Sequence, residues 1–185
     1  MAGCWRSGSV AEARDLVIGI GNPLRSDDGV GWWLARMARR LRPMPRVLLV
    51  QQLTPELVED LALAQRVLFI DAWLPQGGEA VPARRARLQP LQFATDGGAG
   101  AFSHHLDPQQ LLAITALLHG RAPAAWQLLL PAHALAHGAR LSGPMRRQLP
   151  AATLLLRRWC DGDSEAPAGL QAVALQGSAA MDGHA

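Results

Sequence analysis

The stretch Leu16–Gly31, LVIGIGNPLRSDDGVG, decides the fold. Leu16–Ile20 is an uninterrupted apolar run, the pattern of a strand buried on both faces. It breaks on glycine and an Asn-Pro pair, which favour a turn. Two adjacent aspartates, Asp27 and Asp28, come next. From Gly29 to Leu41 the apolar residues Val30, Trp33, Leu34, Met37, Ala38 and Leu41 recur at helical spacing. Strand, turn, acids and helix in that order set carboxylates at the rim of a sheet. In open α/β sheets the crevice outside the carboxyl ends of the strands is where ligands bind, so the segment locates a site before it names one.

Working outward, similar apolar runs at Val47–Val50, Val67–Ile70 and Trp126–Leu130 predict further strands. Val81–Leu88 predicts an additional one. Thr54-Pro55-Glu56 reads as a helix start, with Thr54 as cap, Pro55 in the first turn and Glu56 opposing the helix dipole, and that helix runs to Ala64. Asp107-Pro108 repeats the logic ahead of Gln109–Leu118, and Ser142–Pro144 does so ahead of Met145–Trp159, which Pro150 is expected to kink or divide. Thr95–Ala101, TDGGAGA, reads as a flexible loop. Alternating strands and helices predict a single three-layer αβα sandwich on a largely parallel, twisted sheet. Strand order is not readable at this level.

A chain of 185 residues is one ordinary domain. Residues 15–160 are expected to form it, with a flexible 1–14 stretch and a disordered 161–185 tail rich in Gly, Ala, Ser and Asp. All 18 basic residues are arginines, and the formal net charge is only +3. Apart from Arg84, Arg85 and Arg87 they are spread along the chain, which gives nucleic-acid binding little support. Cys4 and Cys160 have no CxxC partner, so neither a zinc cage nor a disulfide framework is indicated, and a reducing cytoplasm suits them. No apolar run approaches the ~20 residues of a membrane span, and the opening residues lack a signal peptide's apolar stretch.

Four residues stand out for chemistry. Asp27 has a simple structural reading as a helix cap. Asp28 is superfluous for capping, which leaves its carboxylate available to a cation. Asp71 ends the apolar run VLFID and falls on the same sheet edge. Strands lie about 4.8 Å apart, so the two carboxylates can converge. His104, with its neighbour His105, follows the glycine-rich loop and precedes the cap at Asp107, where imidazole is available to a metal or a proton. His119, His133, His137 and His184 read as ordinary surface groups. One histidine and two carboxylates form a mixed N/O set suited to a divalent transition metal. Trp32 and Trp33 read mainly as core, an exposed one being an interface candidate.

Three motifs in order, GIGNPLRSDDGVG, VLFIDA and FSHHLDPQQLL, resemble the hydrogenase maturation proteases over about Leu16–Leu149. These endopeptidases process the large subunit of nickel-iron hydrogenases. The resemblance implies a phosphorylase/hydrolase-like α/β domain and a nickel-dependent, aspartic-type or metal-assisted endopeptidase. Its metal ligands and catalytic residues would be Asp28, Asp71 and His104. Nickel would come with the substrate, the precursor large subunit, whose C-terminal extension is cut once the metal is in place. The chain departs from the family's pattern at Asp28, where glutamate is common, and in the adjoining His104-His105 pair. His104 is preferred because it follows Ser103 and precedes the helix by the family's spacing. The segment QQLTPEL, Gln51–Leu57, looks more like the proteases of soluble or bidirectional hydrogenases. No Ser-His-Asp or Cys-His set suggests itself, which leaves water as nucleophile. Alternatives are a nickel-sensing chaperone that does not cut, a nucleotide-binding module built on Gly19 and Gly21, and a peptidyl-tRNA hydrolase-like enzyme.

Overall fold

In the computed structural model, which describes residues 15–74, 85–92 and 106–163, four strands form the parallel body of a sheet. These are β1 (Asp15–Ile20), β2 (Arg46–Val50), β3 (Arg66–Trp73) and β5 (Ala124–Pro131). A fifth, β4 (Arg87–Leu91), pairs antiparallel with β5 and completes the order β2-β1-β3-β5-β4. Helices α1 (Val30–Ala38) and α4 (Gly143–Cys160) cover one face. Helices α2 (Leu57–Leu63) and α3 (Pro108–His119) cover the other. The expected three-layer αβα sandwich is the fold.

Each strand contributes to both cores because alternate side chains point to opposite faces. Val17, Leu68, Ile70 and Leu128 pack under α1 and α4, while Leu16, Ile18, Val67 and Phe69 pack under α2 and α3. Strand β2 is only half-buried beyond its first residue, as its place at the sheet edge dictates. The extra strand lies later than its predicted Val81–Leu88 span, starting at Arg87 and carrying Pro90. Proline, which cannot donate to a ladder, is confined to such edge positions. Residues 81–84 of the predicted span lie outside the described residues, as do Thr95–Ala101, residues 1–14 and residues 164–185.

Three helix expectations are corrected. Helix α2 starts at Leu57, and its cap position is held by Glu56 without a side-chain bond. Thr54 instead uses its hydroxyl on the Glu56 carboxylate, which lowers that group's pKa, while its carbonyl accepts from Leu57 N at 3.2 Å. Helix α1 ends at Ala38 rather than Leu41. Pro150 does not divide α4, which runs for 18 residues with Pro150 on its exposed side. The caps of α3 and α4 are as expected. Asp107 and Gln110 form a reciprocal capping box, and Ser142 Oγ accepts from Met145 N at 3.2 Å.

The amino edge of the sheet is locked shut. Arg66 donates through Nε to Asp15 Oδ1 at 2.9 Å and reaches the carbonyl of Trp159 at 3.0 Å, with its guanidinium over the Trp159 ring. The opposite, carboxyl edge is where the chain leaves β1 for α1 and where β3 ends. From β1 the chain runs through α1 to β2 on one side, and from β3 it runs on to β4 and β5 on the other. This makes β1/β3 the topological switch point, where such sheets open a crevice.

Candidate active site

The site is built from the first βα loop upward. Gly21 adopts φ +120°, and a Cβ on it would stand 1.9 Å from the carbonyl oxygen of Asp28. Only glycine lets the loop fold back so closely. Asn22 shapes the return, its Oδ1 accepting from Leu24 N at 2.9 Å and its carbonyl from Arg25 N at 3.0 Å. A single 3-10 turn, Ser26–Gly29, then carries both aspartates into α1. The helix comes down hard on the switch point: a Cβ on Gly31 would lie 2.2 Å from the Ile20 carbonyl oxygen and 2.5 Å from that of Ile70.

The two neighbouring acids have opposite fates. Asp27 is fully buried and caps nothing. Its carboxylate accepts from His133 N (2.9 Å), Ala134 N (3.0 Å), Ser142 N (2.7 Å) and Ser142 Oγ (2.8 Å). Burial alone would raise its pKa, but the hydrogen bonds from Ser142, His133 and Ala134 outweigh it and hold the carboxyl below its usual value. Backbone bonds extend the joint, Ser26 N to Gly138 O and Asp27 N to Ala134 O. Asp27 therefore pins the β5–α4 loop to the β1–α1 loop. That role was missed in the sequence because its partners lie more than 100 positions away.

Asp28 presents its carboxylate on the other side of the turn. Oδ2 accepts from Asn22 N at 3.0 Å. Asp71 sits in β3, which continues past the predicted run Val67–Ile70 to Trp73, and its Oδ1 accepts from Ala72 N at 2.8 Å. Among the described residues, Asp28 Oδ1 and Asp71 Oδ2 carry no hydrogen bond. Burial pushes the Asp71 carboxyl up to about 7, against the Ala72 bond, and the nearby charge of Asp28 adds to the rise. Asp28 and Asp71 thus lie near enough for the charge of one to act on the other. The strand parity that sends Val67 and Phe69 toward α2 and α3 gives Asp71 the same face.

The third expected ligand, His104, and its alternative His105 lie outside the described residues. The helix that follows them, α3, delivers its C-terminal end to the start of β5 and so begins at the carboxyl edge. Among the described residues no cluster of three metal-ligating side chains occurs. Other nucleophiles are engaged elsewhere. Burial pushes the Cys160 thiol up to about 11, with Asp15 nearby adding to the rise, so it is not a ready thiolate. Ser142 is committed to Asp27, and no serine among the described residues is hydrogen-bonded to a histidine. The glycines of the first loop serve helix–strand contact rather than phosphate, since a Cβ on Gly19 would meet the Gly31 carbonyl oxygen at 2.4 Å. The nucleotide-binding alternative loses its cradle. His119, His133 and His137 are exposed, as expected of surface histidines, with His119 beside Glu59.

No protein-family model matches the chain, and no curated protein matches it in sequence. Solved structures do match it in shape. The hydrogenase maturating endopeptidase HybD from E. coli superposes with a TM-score of 0.62 at 16% identity, over 81% of this chain and 93% of that one. The fold is that of the hydrogenase maturation endopeptidases. The [NiFe] hydrogenase maturation protease HybD from Thermococcus kodakarensis gives 0.58 at 18%, over 80% of this chain and 99% of that one. HycI from Thermococcus kodakarensis KOD1, a [NiFe] hydrogenase maturation protease, gives 0.56 at 20%, over 82% and 93%. At these identities the likeness is one of architecture. This chain has that fold over 93–99% of the length of those proteins, with Asp28 and Asp71 at its switch point. No helix among the described residues is long and apolar enough to cross a membrane.

Proposed function

We propose that this protein is an endopeptidase that removes a C-terminal extension from the precursor of a nickel-iron hydrogenase large subunit after nickel insertion. The observation that carries the reading is the Asp28–Asp71 pair at the β1/β3 switch point, in a fold shared with hydrogenase maturation endopeptidases. Two carboxylates with oxygens to spare, joined by His104, make a hard O/N donor set that fits a divalent first-row ion.

Asp71 supplies the tuned group. A carboxyl that titrates near neutrality gives up its proton to an arriving cation at little cost, where an ordinary carboxylate is already hydrated and charged. Asp28, anchored on Asn22 N, holds its carboxylate beside it. The Asp27 joint fixes the loop that carries Asp28. Nickel belongs to the substrate in this reading: Asp28, Asp71 and His104 would hold it, and it would supply Lewis acidity toward the scissile carbonyl. Water is the nucleophile, because Ser142 and Cys160 are otherwise engaged.

The test is to incubate the purified protein with nickel-loaded and nickel-free precursor and weigh the products. Loss of a C-terminal peptide from the loaded precursor alone is the expected result. Nickel-dependent binding without cleavage would replace the enzyme by a sensing chaperone, and no interaction with either form would overturn the reading.

A further inference from the structure

Trp32 and Trp33 read mainly as core in the sequence, with an exposed one as an interface candidate, and in the structure neither is fully buried. Trp32 is half-buried at the end of β2, its Nε1 donating to the Val50 carbonyl at 2.9 Å with Arg36 over its ring. Trp33 is 40% exposed. It stands as a ridge between two grooves on the outer side of α1 and α4. One, of about 410 Å³, runs from Trp33 past Arg36 and Arg40 to Pro23, Ser26 and Gly29. The other, of about 510 Å³, runs along α4 past Arg146, Leu149, Leu154 and Arg157. Leu154 is 60% exposed.

The charge of this layer is one-sided. Residues 30–42 hold four arginines and residues 143–160 hold four more, with no acid in either span. Among the described residues, the ion pairs with carboxylates use Arg46, Arg66 and His119, and none of these eight. The opposite layer reverses the pattern: residues 54–63 and 107–119 hold Glu56, Glu59, Asp60 and Asp107 and no arginine. An exposed tryptophan flanked by unpaired arginines has the composition of an interface centre, in which aromatic and Arg side chains are enriched.

We propose that the α1–α4 face is a docking surface for a segment of the precursor protein in which acidic residues flank an apolar side chain. The inference rests on the proposed protease reading and adds to it a binding site away from the cleaved bond. Charge complementarity selects the acids, and the apolar lining around Trp33 selects the side chain between them. The first groove is continuous with the site, because Pro23, Ser26 and Gly29 belong to the loop that carries Asp28. A precursor gripped here is led to the rim where Asp28 and Asp71 meet.

The experiment measures steady-state cleavage of nickel-loaded precursor, and its binding, with the wild type, Trp33→Ala, and the triple variant Arg40→Glu, Arg146→Glu, Arg157→Glu. These side chains are exposed, and unchanged melting midpoints establish that both variants fold. KM is expected to rise about tenfold or more in each, as for truncation of an aromatic anchor or reversal of facing charges, with kcat unchanged. Cleavage by both variants at unaltered KM would overturn the docking surface and leave the protease reading standing. Binding without cleavage by the wild type, lost in the variants, would overturn the protease reading and keep the surface. An oligonucleotide that binds through these arginines where the precursor does not would overturn the proposal in favour of nucleic acid.

Discussion

At the scale of single residues, Asp27 and Asp28 show how little adjacency says about role. Asp27 is held by four donors from one distant loop, and its pKa is depressed. A carboxyl with a depressed folded pKa contributes stability that is present above its unfolded value and is lost as pH falls through the folded one. Asp27→Asn turns an amide NH2 toward a donor and strands at least Ser142 N, so unfolding in urea is expected to show a loss of about 1–3 kcal/mol at pH 7. The deficit should shrink as the wild type is acidified below its ordinary carboxylate range, and a constant deficit would count against the charged joint. Asp71 has the opposite sign. Its folded pKa of about 7 lies above the ordinary 3.8, so its contribution is present below that ordinary value and lost as pH rises through 7. Asp71→Asn keeps an oxygen for the Ala72 N–H and removes the buried charge. The variant is expected to be more stable than the wild type at pH 8, by roughly 1–3 kcal/mol, equal to it near pH 3, and inactive in processing. A stability difference that ignores pH would remove burial as the cause of the shift. Asp28 and Asp71 stand out in the sequence because each is an acid that a strand end or a cap does not need, and the structure puts both at the carboxyl edge of the sheet. Asp27 was not, because its meaning lies in His133, Ala134 and Ser142.

At the scale of elements, legibility follows how local the determining physics is. The caps at Asp107 and Ser142 depend on residues within one turn, and both form as read. The four parallel strands are long apolar runs and also form as read. Thr54 fails as a cap because its hydroxyl goes to Glu56, a choice among neighbours of similar chemistry. Strand β4 depends on its pairing with β5, Leu88 against Leu128, which the local pattern of Val81–Leu88 does not contain. Helix α1 illustrates the long-range part most directly. Its first turn packs so closely on β1 and β3 that Gly31 has carbonyl oxygens at 2.2 and 2.5 Å from where a Cβ would be. Alanine favours helix over glycine by about 1 kcal/mol on propensity alone. Gly31→Ala is nevertheless expected to destabilise the fold, by about 2 kcal/mol or more, because backbone must move to admit one carbon. Denaturant unfolding decides between the two effects, and a gain in stability would mean that α1 lifts off the switch point freely. Processing should fall in the same variant, since the displaced turn carries Asp28.

At the scale of the whole molecule, the fold class was legible and the strand order was not, because alternating strands and helices are compatible with many orders until the pairings are known. The order β2-β1-β3-β5-β4 is what puts the loop after β1 and the end of β3 side by side, by making β1 and β3 neighbours whose connections diverge. Charge shows the same dependence on assembly. A net +3 spread along the sequence looks featureless, yet folding puts eight arginines on the α1–α4 layer and four acids on the α2–α3 layer. Opposed layers of this kind produce a field that steers a charged partner to one face, an effect on association that salt screens. If the precursor approaches through the arginine layer, kcat/KM for its cleavage should fall several-fold between about 50 and 500 mM salt, where the Debye length contracts from roughly 14 to 4 Å. The maximal rate should change little if, as proposed, the chemistry rests on Asp28 and Asp71 acting at short range inside the crevice. Reversing Arg40, Arg146 and Arg157 to glutamate should flatten that salt dependence as well as lower kcat/KM. A steep dependence that survives the reversal would assign the steering to arginines outside this layer, and a wild-type rate indifferent to salt would remove electrostatic steering altogether.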